Sequence, residues 1–259
     1  MTALLRIEGL TKRYRGVTAL DGVSLDVLPG SITGLVGPNG SGKSTLFDCV
    51  TCFQRKDAGA VWFAEQSIGE LGAHGIARLG VRRTFQQTRV FPELSVLQNL
   101  LTAAQSTPAR SMLAELCRLP EIRAAERAAA TEADRLLHEV GLADHARKPA
   151  GGLSYGQAKL VELAMSLMGG PRLVLLDEPV AGINPTLIEH IKQHLLAWRA
   201  RGISFLLIEH NLRLVFDICD WVYVLDQGSL LTGGPPAAVA GDPRVIEAYL
   251  GSRKRHVRG

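Results

Sequence analysis

The residues best suited to chemistry form one glycine-rich run, Gly37-Pro38-Asn39-Gly40-Ser41-Gly42-Lys43-Ser44-Thr45. Its spacing is GxxxxGK[ST], the pattern of a phosphate-binding loop. Glycines let successive backbone N–H groups turn toward one anion, and a helix N-terminus adds partial positive charge at the same point. Lys43 brings a point charge to β/γ-phosphate oxygens, and the Ser44 hydroxyl suits the shell of a Mg²⁺ ion. A second run, Leu173-Val174-Leu175-Leu176-Asp177-Glu178-Pro179, delivers two carboxylates after four apolar residues. That places Asp177 and Glu178 at the carboxyl end of a buried strand, where open α/β sheets bind ligands. Asp177 suits an outer, water-mediated hold on Mg²⁺. Glu178, one residue on, suits a base that takes the proton of an attacking water.

The surrounding chain supplies the elements that such groups need. Ile32 to Val36 is a short apolar strand running straight into the glycine loop, and an apolar helical segment follows. Upstream, Val23, Leu25 and Val27 alternate with Ser24 and Asp26, the period of a half-buried strand closed by Pro29-Gly30. Leu173–Leu176 and Ile203–Ile208 are apolar on both faces and flank a helical stretch from about Pro185 to Arg201. Such alternation predicts a parallel sheet covered on both sides. Between about Val96 and Val140 the chain turns helical, with Ala129, Ala133, Leu136, Leu137 and Val140 forming an amphipathic stripe. Pro108 and Pro120 divide this region and Gly151-Gly152 ends it. Trp221–Leu225 and Ser229–Thr232 flank Asp226-Gln227-Gly228 and read as a hairpin. The fold class is α/β, with a helical subdomain inserted in the core.

A third motif, Leu153-Ser154-Tyr155-Gly156-Gln157, joins the first two. Together the three resemble the signature of ATP-binding cassette (ABC) ATPases, whose usual wording of the third is LSGGQ. The resemblance covers nearly the whole chain and keeps the order of the elements. It implies a P-loop NTPase (RecA-like) fold with an N-terminal antiparallel β subdomain. On this reading residues 1–88 and 159–250 form the core, 89–158 the helical insert and 251–259 a basic tail. It implies ATP and Mg²⁺ as ligands. Tyr14 matches the aromatic that stacks on adenine. Gln86, in the run RRTFQQ, matches the glutamine that links the γ-phosphate and Mg²⁺ to the helical subdomain, with Gln87 the less favoured candidate. Ala181 to Pro185 falls where cassettes cross to their dimer mate, and His210 matches the switch histidine. Ser154, Tyr155, Gly156 and Gln157 would complete the site of a facing cassette. Tyr155 replaces the family's commoner glycine, and Asn184 stands where many cassettes have aspartate.

Further wording is similar to one branch of that family: FPELSVLQN, EPVAGINP, LLIEHN and GDPRVIEAYLG. The branch is the ATP-binding subunits of bacterial importers for branched-chain, hydrophobic amino acids. It implies two permease subunits, a second cassette (a heterodimer, with a homodimer as the alternative) and, indirectly, an extracytoplasmic binding protein. The implied location is peripheral, on the cytoplasmic face of the inner membrane. Urea and lipopolysaccharide systems have similar cassettes.

Composition narrows the rivals. The chain of 259 residues is 46% hydrophobic and 21% charged, the profile of a folded globular protein. Its net charge of +4 sits in the last eight residues, where Arg253, Lys254, Arg255 and Arg258 meet no acid. The remainder balances, so nucleic acid is not the expected partner. A soluble ABC ATPase acting on DNA would need long coiled coils, and no heptads occur. No signal-like segment precedes Arg6 and Glu8, and no apolar run approaches the ~20 residues of a bilayer helix. Cys49 and Cys52 form a CxxC without a second ligand pair and read as small core residues. Val90, Phe91 and Leu94, just past Gln86, would be costly to expose without a partner, which marks this loop as the expected permease contact.

Overall fold

The computed structural model describes residues 2–84, 90–104 and 120–255. Among the described residues, ten strands form two sheets. β1 (Leu5–Tyr14), β2 (Val17–Val27), β4 (Ala58–Phe63) and β5 (Gln66–Ser67) make an antiparallel sheet in the order β2-β1-β4-β5. The second sheet has the order β10-β9-β3-β8-β7-β6, built from β3 (Ile32–Val36), β6 (Val81–Arg83), β7 (Leu173–Asp177), β8 (Ser204–Ile208), β9 (Trp221–Asp226) and β10 (Ser229–Gly234). All its pairings are parallel except the β9–β10 hairpin. Three of its strands, β3, β7 and β8, are buried at every residue.

Side-chain alternation explains why both faces are apolar. Leu173, Leu175, Leu206 and Ile208 face one core, shared with the antiparallel sheet and with Leu46, Phe47 and Val50 of helix α1 (Lys43–Val50). Val174, Leu176, Phe205 and Leu207 face the other core. That second core is covered by α5 (Tyr155–Leu167), α6 (Pro185–Ala200) and α7 (Leu212–Ile218). With one helix layer and one sheet covering it, the central strands are predominantly apolar on both faces.

The expected helical region contains α3 (Val96–Ala103) and α4 (Pro120–Glu139), packed on each other and on α5. Ala133, Leu136, Leu137 and Val140, part of the expected stripe, are all buried. Pro120 begins α4, as its fixed φ allows; Pro108 lies outside the described residues. Two of the domain limits drawn from sequence fall inside continuous helices. Residue 158 lies within α5, and 251 lies within α9 (Pro243–Arg255), so helix continues into the basic segment. Among the described residues the remaining α-helices are α2 (Gly72–Arg78) and α8 (Pro236–Ala240). Among the described residues no helix is long and apolar enough to cross a membrane.

Candidate functional site

The glycine loop leaves β3 and ends at α1, as the strand–loop–helix order demands. Gly37 has φ 152°, and a Cβ there would collide with the Leu225 carbonyl oxygen at the end of β9. Only glycine fits that approach. Lys43 lies 6% exposed, its Nζ donating to the Gly37 and Pro38 carbonyl oxygens at 2.8 and 2.9 Å and to Ser41 Oγ at 3.4 Å. Burial lowers its pKa, and the carboxylates of Glu178 and Asp177 oppose that fall. The loop residues from Asn39 to Thr45, with Ala19, Glu178 and His210, line a cleft of about 500 Å³. Loop, carboxylate and histidine, far apart in sequence, meet in one wall.

Glu178 and His210 face each other directly, with His210 Nε2 3.1 Å from Glu178 Oε1. Glu178 adopts φ 50°, a left-handed backbone that costs a non-glycine residue on the order of 1–3 kcal/mol. Its N–H donates to the Ile208 carbonyl at 2.9 Å, which ties it to the end of β8.

Asp177 sits one residue earlier and is buried. Its backbone N–H donates to Thr84 Oγ1 at 3.1 Å. Burial raises its carboxyl pKa; the Arg83 guanidinium, 3.5 Å away, pulls it down, and Glu178 pushes it up. Arg83 also pairs with Asp48 of α1 at 2.6 Å. One guanidinium therefore bridges the helix behind the glycine loop and the carboxylate at the end of β7.

The third motif opens α5. Ser154 is its N-cap, accepting from Gln157 N–H while Gln157 Oε1 accepts from Ser154 N–H, a reciprocal capping box. The Tyr155 hydroxyl donates to the Ala181 carbonyl at 3.2 Å, so the departure from glycine adds a link to the loop before α6. A Cβ on Gly156 would stand 2.5 Å from Leu187 Cδ2, so a larger residue there would displace the Leu187 side chain. Asn184 caps α6, accepting from Leu187 N–H at 2.9 Å. Ser154 to Gln157, Gly182 to Asn184, Leu187 and His190 line a separate cleft of about 620 Å³. The two clefts share no lining residue.

Other expected residues are placed less directly. Tyr14 ends β1, 40% exposed, with Lys12 Nζ 5.1 Å from its ring centre; it is not among the residues lining the glycine-loop cleft. Gln86 and Gln87 lie outside the described residues. Of the three apolar residues expected to be exposed, Phe91 is 54% exposed, but Val90 packs on the core and Leu94 is half-buried. The loop is shaped by Asn99, wholly buried, which accepts from Phe91 N–H at 2.7 Å and donates to the carbonyls of Phe91 and Ser95 at 3.0 Å. Cys49 is buried and burial pushes its thiol up to about 11, which suits a core residue rather than a reactive one.

Sequence reading missed Arg83, Asn99, Tyr249 and Glu209. Tyr249 of α9 packs its ring on the core, and burial pushes its hydroxyl up to about 12 while the Gly37 N–H directed at it opposes the rise. Glu209 is a buried carboxylate beside His210. A charge next to a strand end reads as solvated, and only burial distinguishes it.

Comparison with known proteins gives two family profiles. One, described as ABC transporter, matches residues 20–181; the other, described as branched-chain amino acid ATP-binding cassette transporter, matches residues 230–254. The chain is 40% identical over 249 residues to the high-affinity branched-chain amino acid transport ATP-binding protein BraF of Pseudomonas aeruginosa, covering 96% of this chain and 98% of that one. It is 37% identical, with the same coverage, to the corresponding LivG protein of Escherichia coli. A crystal structure of the ADP conformation of an ATP-binding cassette from an ABC transporter superimposes with a TM-score of 0.83 at 36% identity, covering 97% of this chain and all of that one.

Proposed function

The chain belongs to the ATP-binding cassette family of ATPases, and from that membership we propose that it drives a bacterial importer of branched-chain, hydrophobic amino acids. The observation that carries the catalytic part is the Glu178–His210 pair, 3.1 Å apart in the wall of the cleft that also holds Lys43 and the glycine loop. The substrate class rests on the branched-chain transport relatives and on the profile match across residues 230–254.

In the proposed mechanism the loop N–H groups and Lys43 bind the β- and γ-phosphates of ATP. Lys43 already has its charge aimed into the loop by two carbonyl oxygens, so little reorganisation is needed on binding. Glu178 accepts the proton of a water attacking in line, and His210 holds the Glu178 carboxylate and the γ-phosphate edge. Tyr14 contributes the adenine contact, and Gln86 senses the γ-phosphate.

The residues present fit a Mg²⁺ ion. Ser44 offers a hydroxyl at the mouth of α1, and Asp177 a buried carboxylate behind it. These are hard oxygen donors. Among the described residues no group of three or more His, Cys, Asp or Glu side chains forms a metal cage, and Mg²⁺ bound mainly through phosphates needs none. When bound, the ion would neutralise charge on the transferred phosphoryl group, with Ser44, Gln86 and Asp177 as its protein holders.

Separate clefts for Lys43 and for Ser154 to Gln157 favour a site completed by a second cassette, a different one in the heterodimer we favour. Two permease subunits and an extracytoplasmic binding protein complete the proposed system, with this chain peripheral on the cytoplasmic face of the inner membrane. Within the chain we retain the division into a core (1–88 and 159–250), a helical insert (89–158) and a basic tail (251–259). Phe91, exposed on a loop hydrogen-bonded to the Asn99 side chain, is the proposed permease contact.

The test is co-purification from membranes together with labelled-leucine uptake by cells carrying the chain. Wild type should bring down two integral membrane proteins and support uptake. Phe91→Ala should keep the ATPase activity of the isolated subunit and lose complex recovery. Recovery of an unaltered complex refutes the Phe91 contact, and uptake independent of the chain refutes the substrate class.

A further inference from the structure

Glu209 is 2% exposed, and a carboxylate is buried so completely only when its oxygens are satisfied. Three backbone N–H groups donate to it: Val180 to Oε1 at 2.9 Å, and His210 and Asn211 to Oε2 at 3.0 and 3.2 Å. The donors come from two different segments. His210 and Asn211 belong to the turn after β8, whereas Val180 follows Glu178 by two residues.

The backbone explains why a side chain is needed there. Asp177 pairs with Ile208 in the β7–β8 ladder, and the Glu178 N–H still donates to the Ile208 carbonyl. β7 ends at Asp177, and the left-handed backbone of Glu178 turns the chain out of the strand, so the ladder stops. The Glu209 carboxylate takes the next donor, Val180 N–H. Glu178 is thus fixed on both sides, by the Ile208 carbonyl and by the Glu209 carboxylate, in a left-handed conformation that glutamate rarely adopts.

We infer that Glu209 is a positioning residue that holds Glu178 and His210 in register across the ends of β7 and β8, and so keeps their carboxylate–imidazole contact at 3.1 Å. This rests on the reading of Glu178 and His210 as the hydrolytic pair. The site calls for a carboxylate rather than an amide. Three N–H donors converge on Glu209, and a glutamine would turn an NH₂ group toward at least one of them. Aspartate, one methylene shorter, would keep the charge near His210 and Asn211 but withdraw from Val180.

The experiment compares Glu209→Gln, Glu209→Asp, Glu178→Gln and the Glu178→Gln/Glu209→Gln double variant. It measures kcat and KM for MgATP at one protein concentration, and affinity by titration with a fluorescent ATP analogue. Both Glu209 variants should lose about tenfold or more in kcat with affinity within about twofold of wild type. The double variant should be no slower than Glu178→Gln alone, because the pair is already disabled. Glu209→Asp carries the test if Glu209→Gln does not fold. Wild-type kcat in Glu209→Asp overturns the inference. So does affinity falling in step with kcat, or losses that multiply in the double variant. If Glu178→Gln itself turns over normally, the hydrolytic-pair reading fails first, and that single variant shows it.

Discussion

Replacing Glu178 by glutamine removes a charge and a base while changing almost no volume. The backbone of this residue is held by its N–H to the Ile208 carbonyl, a bond the substitution leaves intact, and the amide oxygen can still accept from His210. The fold around β7 should therefore survive. Losing a general base costs typically 10²–10⁴ in rate, or roughly 3–5.5 kcal/mol of barrier. Two effects on ATP binding oppose each other. The Glu178 carboxylate supports the protonated form of the buried Lys43, so its loss lets that pKa fall further. The same loss removes a negative charge from the wall of the cleft proposed to hold the γ-phosphate. None of the hydrogen bonds that aim Lys43 involves Glu178, so affinity should change by no more than about threefold. Phosphate release under single-turnover conditions gives the rate, and titration with a fluorescent ATP analogue gives the affinity. A rate within tenfold of wild type, or an affinity lost along with the rate, would refute the assignment of Glu178 as the base.

Lys43→Ala should weaken ATP binding itself by about ten- to a hundredfold, the worth of a charge-assisted contact of 1.5–3 kcal/mol, and equal affinity in titration would exclude that role. Asn99→Ala strips partners from the Phe91 N–H and from carbonyls of the same loop, so urea unfolding should show a loss of about 1–3 kcal/mol; a loss under about 0.5 kcal/mol would mean water replaces the amide. Because the Lys43 and Ser154 clefts are separate, specific ATPase activity of the isolated chain should rise with its concentration and Ser154→Arg should abolish the rise. Specific activity that is constant from nanomolar to micromolar chain would show each molecule working alone.

The parts of the site legible in the sequence are those whose geometry is local. The glycine loop, Lys43 and Ser44 follow a strand and open a helix, and a strand–loop–helix run fixes its own shape. Asp177 and Glu178 fall at a strand end because four consecutive apolar residues precede them. Capping by Ser154 and Gln157 is likewise set within one turn of helix. Tertiary structure decided what depends on partners far along the chain. Val90, Phe91 and Leu94 are equivalent as apolar residues, and only the fold of the loop, hydrogen-bonded to Asn99, packs Val90 on the core, leaves Leu94 half-buried and leaves Phe91 exposed. Arg83 and Asp48 read as surface charges until β6 is laid beside β7, which brings the guanidinium between α1 and Asp177. Glu209 looks like any acid flanking a histidine, and its bonds appear only once the turn after β8 lies against Val180, beyond the end of β7. A motif records which groups are adjacent along the chain, whereas burial and hydrogen-bond demand arise from the segments that fold against it.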